Sequence, residues 1–294
     1  MGEITLALRG RLGNQMFEYA FAKALSLKYG CKLVISTFWD TNRLACFPNI
    51  KCNVVSNSNV NFLQKIGLYI YAKLTNGKTR MEKFAVEKRY QRFFTALGLI
   101  LCENGFLNFS PARKNNLLIG FFQSAKYFAE YKTQILADFR FDTENMPADV
   151  LKIRDEISAC SSVCVHIRLG DYVKHPLHGV CTLNYYLRAM EEIQKKSSNQ
   201  HFFIFSDNID LVKESIGNYK AEITYIPSSF TDVESMYLGS QCKNFILSNS
   251  SFSWWMCYLS GNENKIVFAP DKWFKKPCPC DIYLDSWNLI STEE

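Results

Sequence analysis

The sequence lacks several features that would place it among membrane, secreted or metal-dependent proteins. Its 294 residues contain no apolar run approaching the roughly 18 residues of a membrane helix. The opening residues, MGEI, have neither the charged region nor the long apolar core of a signal peptide. The 11 cysteines, an odd number, include no C-x-x-C pair, so we expect reduced thiols in a cytosolic compartment.

Motifs for the common phosphate and metal sites are also missing. The glycine-containing loop at 9–15 is not a Walker A motif, because it lacks G-K-[ST], and the glycines at 10 and 13 do not complete G-x-G-x-x-G. It has no D-x-D, the carboxylate pair that usually holds a divalent ion under a nucleotide-sugar diphosphate. His175, His178 and Cys181 are ligand-like, but Pro176 interrupts them and no further Cys/His pair completes a tetrahedral site. We therefore predict no metal and no resident cofactor.

The composition is that of a globular protein with a modest positive charge. Apolar residues make up 48% and charged residues 21%, and the formal net charge is +6. This charge suits phosphate-bearing small molecules or an anionic membrane surface. It is too small and too dispersed to predict nucleic-acid binding, which requires a basic stripe.

The first part of the chain predicts a strand, a glycine-containing loop, a helix and a second strand. The strands are expected at 4–8 and 32–36, and the loop covers 9–15. The helix follows from apolar residues at helical spacing, namely Phe17, Ala20, Phe21, Ala24 and Leu25. Arg9, Arg11 and the N–H groups at the helix start would favour an anion. Glycines needed only for a tight turn explain the same loop equally well.

The segment 60–107 allows two interpretations. Helices are predicted at 62–74 and 93–101, separated by the basic run 78–83. Apolar and aromatic residues beside lysines could lie on a membrane surface. Core helices with a solvated face, the commoner case, produce the same pattern.

A hinge is predicted at 145–147, where Pro147 interrupts the pattern after a strand at 117–122 and a helix at 125–139. We therefore divide the chain into an N-terminal Rossmann-like domain, 1–150, and a C-terminal one, 151–294. The last residues of the second could pack back on the first.

The second half alternates strands with helices, the pattern of a parallel sheet covered by helices. Strands are predicted at 162–167, 201–205, 223–226, 243–247 and, as the last one, 265–269, with helices at 183–195 and 252–259. Three of these strands end in polar loops. Because the carboxyl ends of parallel strands share one edge, the loops should line one crevice.

The chemistry of these loops suits a nucleotide diphosphate. Arg168 offers a planar fork for phosphate, and Ser250 and Ser251 lie at a predicted helix start, where N–H groups bind phosphate oxygens. Asp207 could accept hydrogen bonds from a guanine edge or from ribose. Each residue also has a structural interpretation. These are an Arg168–Asp171 ion pair, a capping Ser250, a helix-start charge at Asp207 and a core histidine at His166.

Four stretches of the chain, in order, resemble the α-1,2-fucosyltransferases of glycosyltransferase family 11. They are GRLGNQM at 10–16 followed by Tyr19 and Ala20, FFQSAKYF at 121–128, HIRLGDY at 166–172 and NSSFSWW at 249–255. The resemblance implies a GT-B-like α/β fold, with two Rossmann-like domains facing each other across a cleft. It implies inverting transfer of L-fucose from GDP-β-L-fucose, a co-substrate, to the 2-hydroxyl of a terminal β-galactoside without a metal.

The resemblance also implies roles for individual residues. Arg168 would be the pyrophosphate arginine, with His166 and Asp207 at guanine or ribose. The donor-binding set is completed by Asn249, Ser250 and Ser251 of the second domain and by Gly13, Asn14 and Gln15, which would approach the diphosphate from the first. Many relatives carry a second arginine where this chain has Leu169. Either Arg168 suffices with help from Arg9 or Arg11, or donor affinity is weaker here.

The catalytic base stays open. An inverting displacement needs a group that accepts the galactose hydroxyl proton. Asp171, beside Arg168, is the first candidate and Asp40, after a first-domain strand, the second. A loose, oxocarbenium-like path without a strong base is a third solution.

We expect a cytoplasmic enzyme whose acceptor is a galactose-terminated oligosaccharide or a glycolipid. In the latter case it would work as a peripheral protein at the inner membrane face. The alternatives are another GDP-sugar-dependent inverting glycosyltransferase and a non-catalytic nucleotide- or carbohydrate-binding protein.

Overall fold

The computed structural model describes residues 2–57, 60–111, 113–168, 179–196, 199–217 and 219–293, which form two α/β units. The first unit consists of Met1–Arg140 and Pro277–Tyr283, and the second of Phe141–Lys276 and Leu284–Glu294. The division therefore falls after Arg140 rather than at 150. Of the residues near the carboxyl end, only Pro277–Tyr283 belongs to the first unit.

The first unit is built on a parallel sheet. Its strands within the described residues are β1 (Glu3–Ala7), β2 (Lys32–Ser36), β3 (Asn53–Val55), β4 (Leu99–Cys102) and β5 (Asn115–Gly120). They lie in the order β3-β2-β1-β5-β4, and every pair is parallel. From β1 the chain adds β2 and β3 on one side of the sheet, and then adds β4 and β5 on the other side of β1. The switch point of the topology, where such sheets bind ligands, therefore lies between β1 and β5.

The helices of the first unit show which predictions were right. They are α1 (Leu12–Tyr29), α2 (Phe62–Thr75), α3 (Arg80–Arg89), α4 (Gln91–Ala96) and α5 (Lys132–Asp138). The predicted helix at 62–74 is confirmed as α2. The basic run at 78–83 is not a separator, because Thr79 and Glu82 form a capping box that begins α3 within it.

Two helix predictions in this unit were wrong. The helix predicted at 93–101 ends at Ala96, and Gly98, with φ +78°, turns the chain into the fully buried strand β4. The helix predicted at 125–139 consists of two 3₁₀ turns, Ala125–Tyr127 and Ala129–Tyr131, followed by α5. The side chains of Leu99–Cys102 are apolar enough for a helix or a strand, so periodicity alone does not separate the two.

The second unit contains the parallel sheet that the alternating pattern predicts. Its described strands are β6 (Ser161–Ile167), β7 (Gln200–Ser206), β8 (Glu222–Tyr225), β9 (Asn244–Ile246), β10 (Val267–Pro270) and β11 (Asn288–Ile290). Their order is β11-β10-β9-β6-β7-β8, with all pairs parallel. The switch point lies between β6 and β9. The strand predicted as the last one is followed by β11, so that prediction was wrong.

Helices pack on this second sheet. They are α6 (Ala148–Ala159), α7 (Leu183–Lys196), α8 (Ile209–Ile216), α9 (Asp232–Gln241) and α10 (Ser251–Leu259). Val163 and Val165 of β6 pack with Tyr185 and Met190 of α7 in a core without solvent exposure. None of the helices in the described ranges is long and apolar enough to cross a bilayer.

Candidate active site

Strand register in the second unit brings Arg168 and Asp207 together. Ile167 of β6 pairs with Ser206 of β7, so the next residue of each strand lies at the same level. The Nη2 atom of Arg168 is 3.7 Å from Oδ2 of Asp207, and the two side chains are 14% and 24% exposed. A permanently charged guanidinium therefore lies at the sheet edge beside a carboxylate, and both groups remain accessible to a ligand.

The loop after Arg168 contains other predicted residues that the structure does not describe. Asp171 and Leu169 lie outside the described residues, as do His175 and His178. The ion pair that the structure assigns to Arg168 is therefore the one with Asp207. The role of Asp171 as a base stays a prediction.

His166, at the end of β6, is buried beside β9. Its Nδ1 atom is 2.9 Å from the hydroxyl oxygen of Ser248, and its ring centroid is 5.6 Å from that of Phe252. Burial, helped by the charge of Arg168, lowers the pKa of His166 from 6.5 to about 3. The imidazole is therefore neutral at physiological pH. These partners fit the core-histidine interpretation, and a contact with guanine or ribose stays a prediction.

The loop after β9 places serines at the start of α10. Ser250 is the N-cap residue, and its carbonyl accepts from the Trp254 N–H at 3.0 Å, but its side chain makes no capping hydrogen bond. Its hydroxyl is therefore not used for the purpose that the structural interpretation gave it. The positive end of α10 lies at the switch point of the sheet, where N–H groups favour an anion.

Two neighbouring residues settle smaller questions about this edge. Asn249 is buried, donating through its amide to the Trp273 carbonyl at 3.0 Å and accepting from the Cys181 thiol at 3.5 Å. Asn249 therefore fixes the loop. The N-cap of α8 is Asn208, which accepts from the Leu211 N–H at 3.3 Å, so Asp207 is not the cap of that helix.

At the corresponding edge of the first unit, helix α1 begins one turn earlier than predicted. α1 starts at Leu12, so Gly13, Asn14 and Gln15 lie in its first turn and not in a loop at 9–15. The Arg11 carbonyl accepts from the N–H groups of Asn14 and Gln15, at 3.0 and 3.1 Å, which begins the helix.

Gly10 is required by this turn for two reasons. Its φ is +76°, a conformation that side-chain-bearing residues rarely adopt. A Cβ atom at this position would lie 2.6 Å from the amide nitrogen of Asn14. Any other residue would therefore displace Asn14.

The amide side chains of α1 connect the strand-end loops. Gln15 is fully buried; it donates to the carbonyls of Gly10 and Thr41, at 3.0 and 2.9 Å, and accepts from the Arg43 N–H at 2.9 Å. Asn14 accepts from the Gln123 amide at 2.9 Å, which ties α1 to the loop after β5. Both residues thus hold the edge in shape, and their contact with a diphosphate stays a prediction.

Asp40, the second candidate base, follows β2 at the same edge. One carboxylate oxygen accepts from the Gly10 N–H and the other from the Thr41 N–H, both at 2.9 Å. Asp40 therefore braces the loop after β1, whatever further role it has.

The structure adds acidic residues that sequence reasoning missed. The Arg9 N–H donates to Glu18 at 3.0 Å, while its guanidinium forms an ion pair with Glu103 at 2.5 Å and lies 5.0 Å from the ring centroid of Phe121. Arg9 thus reaches from β1 across the end of β5 to the end of β4. The third of these acidic residues, Glu87 of α3, accepts from the Tyr71 hydroxyl at 2.6 Å and from the Glu103 N–H at 3.3 Å.

Burial controls the protonation of two of these acids. It raises the pKa of Glu18 well above its ordinary range, although the Arg9 N–H acts in the other direction. It raises the pKa of Glu87 from 4.5 to about 7. A glutamate inside the otherwise apolar run at 16–22 could have identified Glu18 from the sequence. Glu87 and Glu103 meet only through tertiary packing, which no local pattern shows.

Groups of His, Cys, Asp and Glu that could hold a metal ion are absent among the residues the structure describes.

Comparison with known proteins gives a consistent result over the whole chain. The model of Glycosyl transferase family 11 matches residues 1–291. An alpha-1,2-colitosyltransferase of Escherichia coli is 29% identical, covering 95% of this chain and 97% of that protein. A galactoside 2-alpha-L-fucosyltransferase of Caenorhabditis elegans is 26% identical, covering 90% and 71%.

Solved structures show the same fold. The fucosyltransferase NodZ from Bradyrhizobium matches with a TM-score of 0.54 and 13% identity, over 87% of this chain and 91% of that one. NodZ, an alpha-1,6-fucosyltransferase, has been co-crystallised with GDP. At this identity the likeness shows the fold alone, and it confirms the predicted α/β, GT-B-like class.

Proposed function

We propose, since the chain belongs to glycosyltransferase family 11 and is a glycosyltransferase, that it moves L-fucose from GDP-β-L-fucose to the 2-hydroxyl of a terminal β-galactoside. The transfer would invert the anomeric centre, give an α-1,2 linkage and need no metal. One observation carries the proposal. Arg168 lies with the start of α10 at the switch point of a parallel sheet, which is where such sheets bind ligands.

The proposed chemistry places positive charge where negative charge develops. As the bond between the sugar and GDP breaks, charge grows on the departing diphosphate. Arg168 and the N–H groups at the start of α10 would stabilise that charge, with the hydroxyls of Ser250 and Ser251 as further donors. Asp207 holds the guanidinium in place from 3.7 Å and would accept hydrogen bonds from ribose or guanine.

The attacking group is the galactose 2-hydroxyl, whose oxygen forms a bond to the anomeric carbon while the bond to GDP breaks. Its proton must pass to a base or be lost late in a loose, oxocarbenium-like transition state. Asp171 is the first candidate base and Asp40 the second. Replacing Asp40 would also remove the brace on the Gly10 N–H, so Asp171→Asn is the cleaner test.

Colitose is the second candidate donor sugar, because a relative of 29% identity is named an alpha-1,2-colitosyltransferase. Colitose is fucose without the 3-hydroxyl. A site that hydrogen-bonds this hydroxyl would reject the deoxy sugar by roughly 10⁴-fold, whereas a site without such a bond would discriminate by about 10- to 200-fold. The ratio of kcat/KM for the two GDP-sugars therefore measures whether the hydroxyl is bound.

The acceptor would be a galactose-terminated oligosaccharide or glycolipid in the cytoplasm, and no nucleic acid would take part. The test is to incubate purified protein with GDP-fucose, GDP-colitose or GDP-mannose and several β-galactosides, with and without EDTA. We expect an α-1,2-fucosylated product, identified by NMR, in both conditions. A preference for GDP-colitose or GDP-mannose would overturn the proposed donor. A product with another linkage would overturn the proposed transfer to the 2-hydroxyl. Loss of activity in EDTA would overturn the proposal that the transfer needs no metal.

A further inference from the structure

The positive charge of the protein is concentrated on three consecutive helices of the first unit. Residues 62–96, which contain α2, α3 and α4, hold eight of the 34 lysines and arginines but only two of the 28 acidic residues. The rest of the chain then carries 26 of each sign, so these helices account for the whole net charge of +6. One of their two acids, Glu87, is buried. The surface is therefore more basic than the count suggests.

The same helices expose large apolar side chains. Of the fourteen such side chains found in the described residues, six lie here. They are Phe62, Leu63, Ile66, Tyr69, Met81 and Phe93. Phe62 and Tyr69 are 75% and 65% exposed. Isolated apolar residues are ordinary on a surface, but a concentration of them on one segment marks a site of interaction.

Helix α2 is apolar on two opposite faces. Its inner face packs Leu68, Tyr71 and Leu74 against the core of the first unit. Its outer face presents Phe62, Ile66 and Tyr69, which are spaced four and three residues apart and so form one stripe along the helix. A surface helix normally turns charged and polar residues to solvent, so the outer stripe of α2 lacks the expected composition.

Lysines border this apolar stripe. Lys65 is exposed between Phe62 and Ile66, and the Lys73 ammonium lies 5.6 Å from the ring centroid of Tyr69. A lysine in such a position can extend its apolar stem beside the stripe and place its charge at the level of a phosphate layer.

We propose that α2, α3 and α4 form a docking surface for an anionic phospholipid bilayer, with the Phe62, Ile66 and Tyr69 side chains in the interfacial layer. Apolar and aromatic residues beside lysines on one helix are what an interfacial helix requires. Anionic headgroups match the net charge of the surface. A second copy of the chain does not match this charge, since two surfaces of charge +6 would repel each other. This inference does not depend on the identity of the donor or the acceptor.

Vesicle sedimentation tests the proposal directly. The full-length protein is mixed with sucrose-loaded vesicles of phosphatidylcholine alone, or of phosphatidylcholine with phosphatidylglycerol. We expect the protein to pellet with the anionic vesicles, to remain largely in solution with the neutral ones, and to be released as salt screens the charges. Equal binding to both kinds of vesicle, or to neither, would overturn the proposal.

Paired variants separate the apolar and the electrostatic parts. The Phe62→Ser, Tyr69→Ser double variant and the Lys65→Glu, Lys73→Glu double variant should each reduce partitioning into anionic vesicles by about tenfold or more. The matched controls are Leu211→Ser and Lys152→Glu, at exposed positions on α8 and α6 of the second unit, and they should bind as the parent does.

The remaining measurements show whether the variants are folded and whether another partner occupies the surface. All variants should keep the parental circular dichroism and GDP affinity, because the substituted side chains are exposed. Sedimentation equilibrium should find a monomer. A dimer that the Phe62→Ser, Tyr69→Ser variant dissolves would overturn the proposal in favour of a self-association surface. Absence of fucosyl transfer would contradict the proposed function and leave the vesicle result unaffected.

Discussion

The backbone N–H of Arg9 donates to a carboxyl oxygen of Glu18 3.0 Å away, and Glu18 is completely buried. The guanidinium of the same arginine pairs with Glu103, which is partly exposed. One residue therefore connects a buried acid, whose pKa burial raises well above its ordinary range, to a second acid at the sheet edge. Arg9, in the loop after β1, is therefore held by two acids that no local sequence pattern groups together.

We expect Glu18→Gln to be close to the parent in stability, because a raised pKa favours the protonated carboxyl, which a neutral amide reproduces while it still accepts from the Arg9 N–H. Glu18→Ala should lower the free energy of unfolding by about 1–3 kcal/mol, since it leaves the Arg9 N–H without its acceptor. Urea unfolding measures the free energy of unfolding of both variants and of the parent. Equal loss in the two variants would mean that the carboxyl is ionised in the folded protein.

Glu87 should make stability depend on pH. Its pKa is about 7 in the folded protein against an ordinary 4.5, so the folded state holds the proton more tightly. Its contribution to stability is therefore fully present below 4.5 and is lost as the pH rises through 7.

Glu87→Gln removes this titration. The free energy of unfolding of the variant relative to the parent should rise by about 3 kcal/mol between roughly pH 4 and pH 9. Glu156→Gln, at an exposed position of α6, is the control. A pH-independent difference between Glu87→Gln and the parent would contradict the assignment.

Arg168→Ala should weaken GDP binding and lower kcat/KM by about 10²- to 10³-fold, because in the proposed function the Arg168 guanidinium would stabilise the negative charge of the departing diphosphate. Arg168→Lys keeps the charge but loses the planar fork, so its GDP affinity and kcat/KM should lie between those of the parent and those of Arg168→Ala. Calorimetry with GDP and steady-state kinetics provide the measurements. Arg154→Ala, on α6, removes an arginine that pairs with Asp155 outside the site and should behave as the parent. Parental values for Arg168→Ala would exclude it from donor binding.

Gly10→Ala and Gly30→Ala form a matched pair, because both glycines have positive φ, +76° and +61°. Each substitution should cost about 1–2 kcal/mol of stability through backbone strain. Only at Gly10 does the new Cβ meet a side chain, the Asn14 amide, whereas nothing lies within 4 Å at Gly30. The proposed fucosyl transfer should therefore fall in Gly10→Ala alone. A similar loss of transfer activity in both variants would point to general destabilisation instead of a local effect on Asn14.

Sequence reasoning succeeded where the signal is local. Apolar runs followed by polar loops located β6, β7 and β9, and parallel pairing then brought Arg168 to Asp207 and His166 to Ser248. The residues that end buried strands could be predicted because their position depends on strand register, which the pattern of apolar residues specifies.

It failed where tertiary packing decides. Leu99–Cys102 is equally compatible with a helix and a strand, and its place beside β5 settles the choice. Glu18, Glu87 and Glu103 lie on different elements, and only folding brings them to Arg9 and to one another. The burial of Gln15 among backbone partners is likewise supplied only by the fold, and its approach to a diphosphate stays a prediction.

The return of Pro277–Tyr283 to the first unit has a consequence for the order of synthesis. Asp281 pairs with Lys126 at 2.8 Å, and Pro279 lies against Gly105, so the first unit uses residues translated after nearly all of the second. A ribosome that has reached residue 276 has therefore not yet supplied every part of the unit it began with. The two units cannot mature strictly one after the other. Completion of the first unit waits until residues 277–283 have been translated, so a truncation before residue 277 removes part of both units.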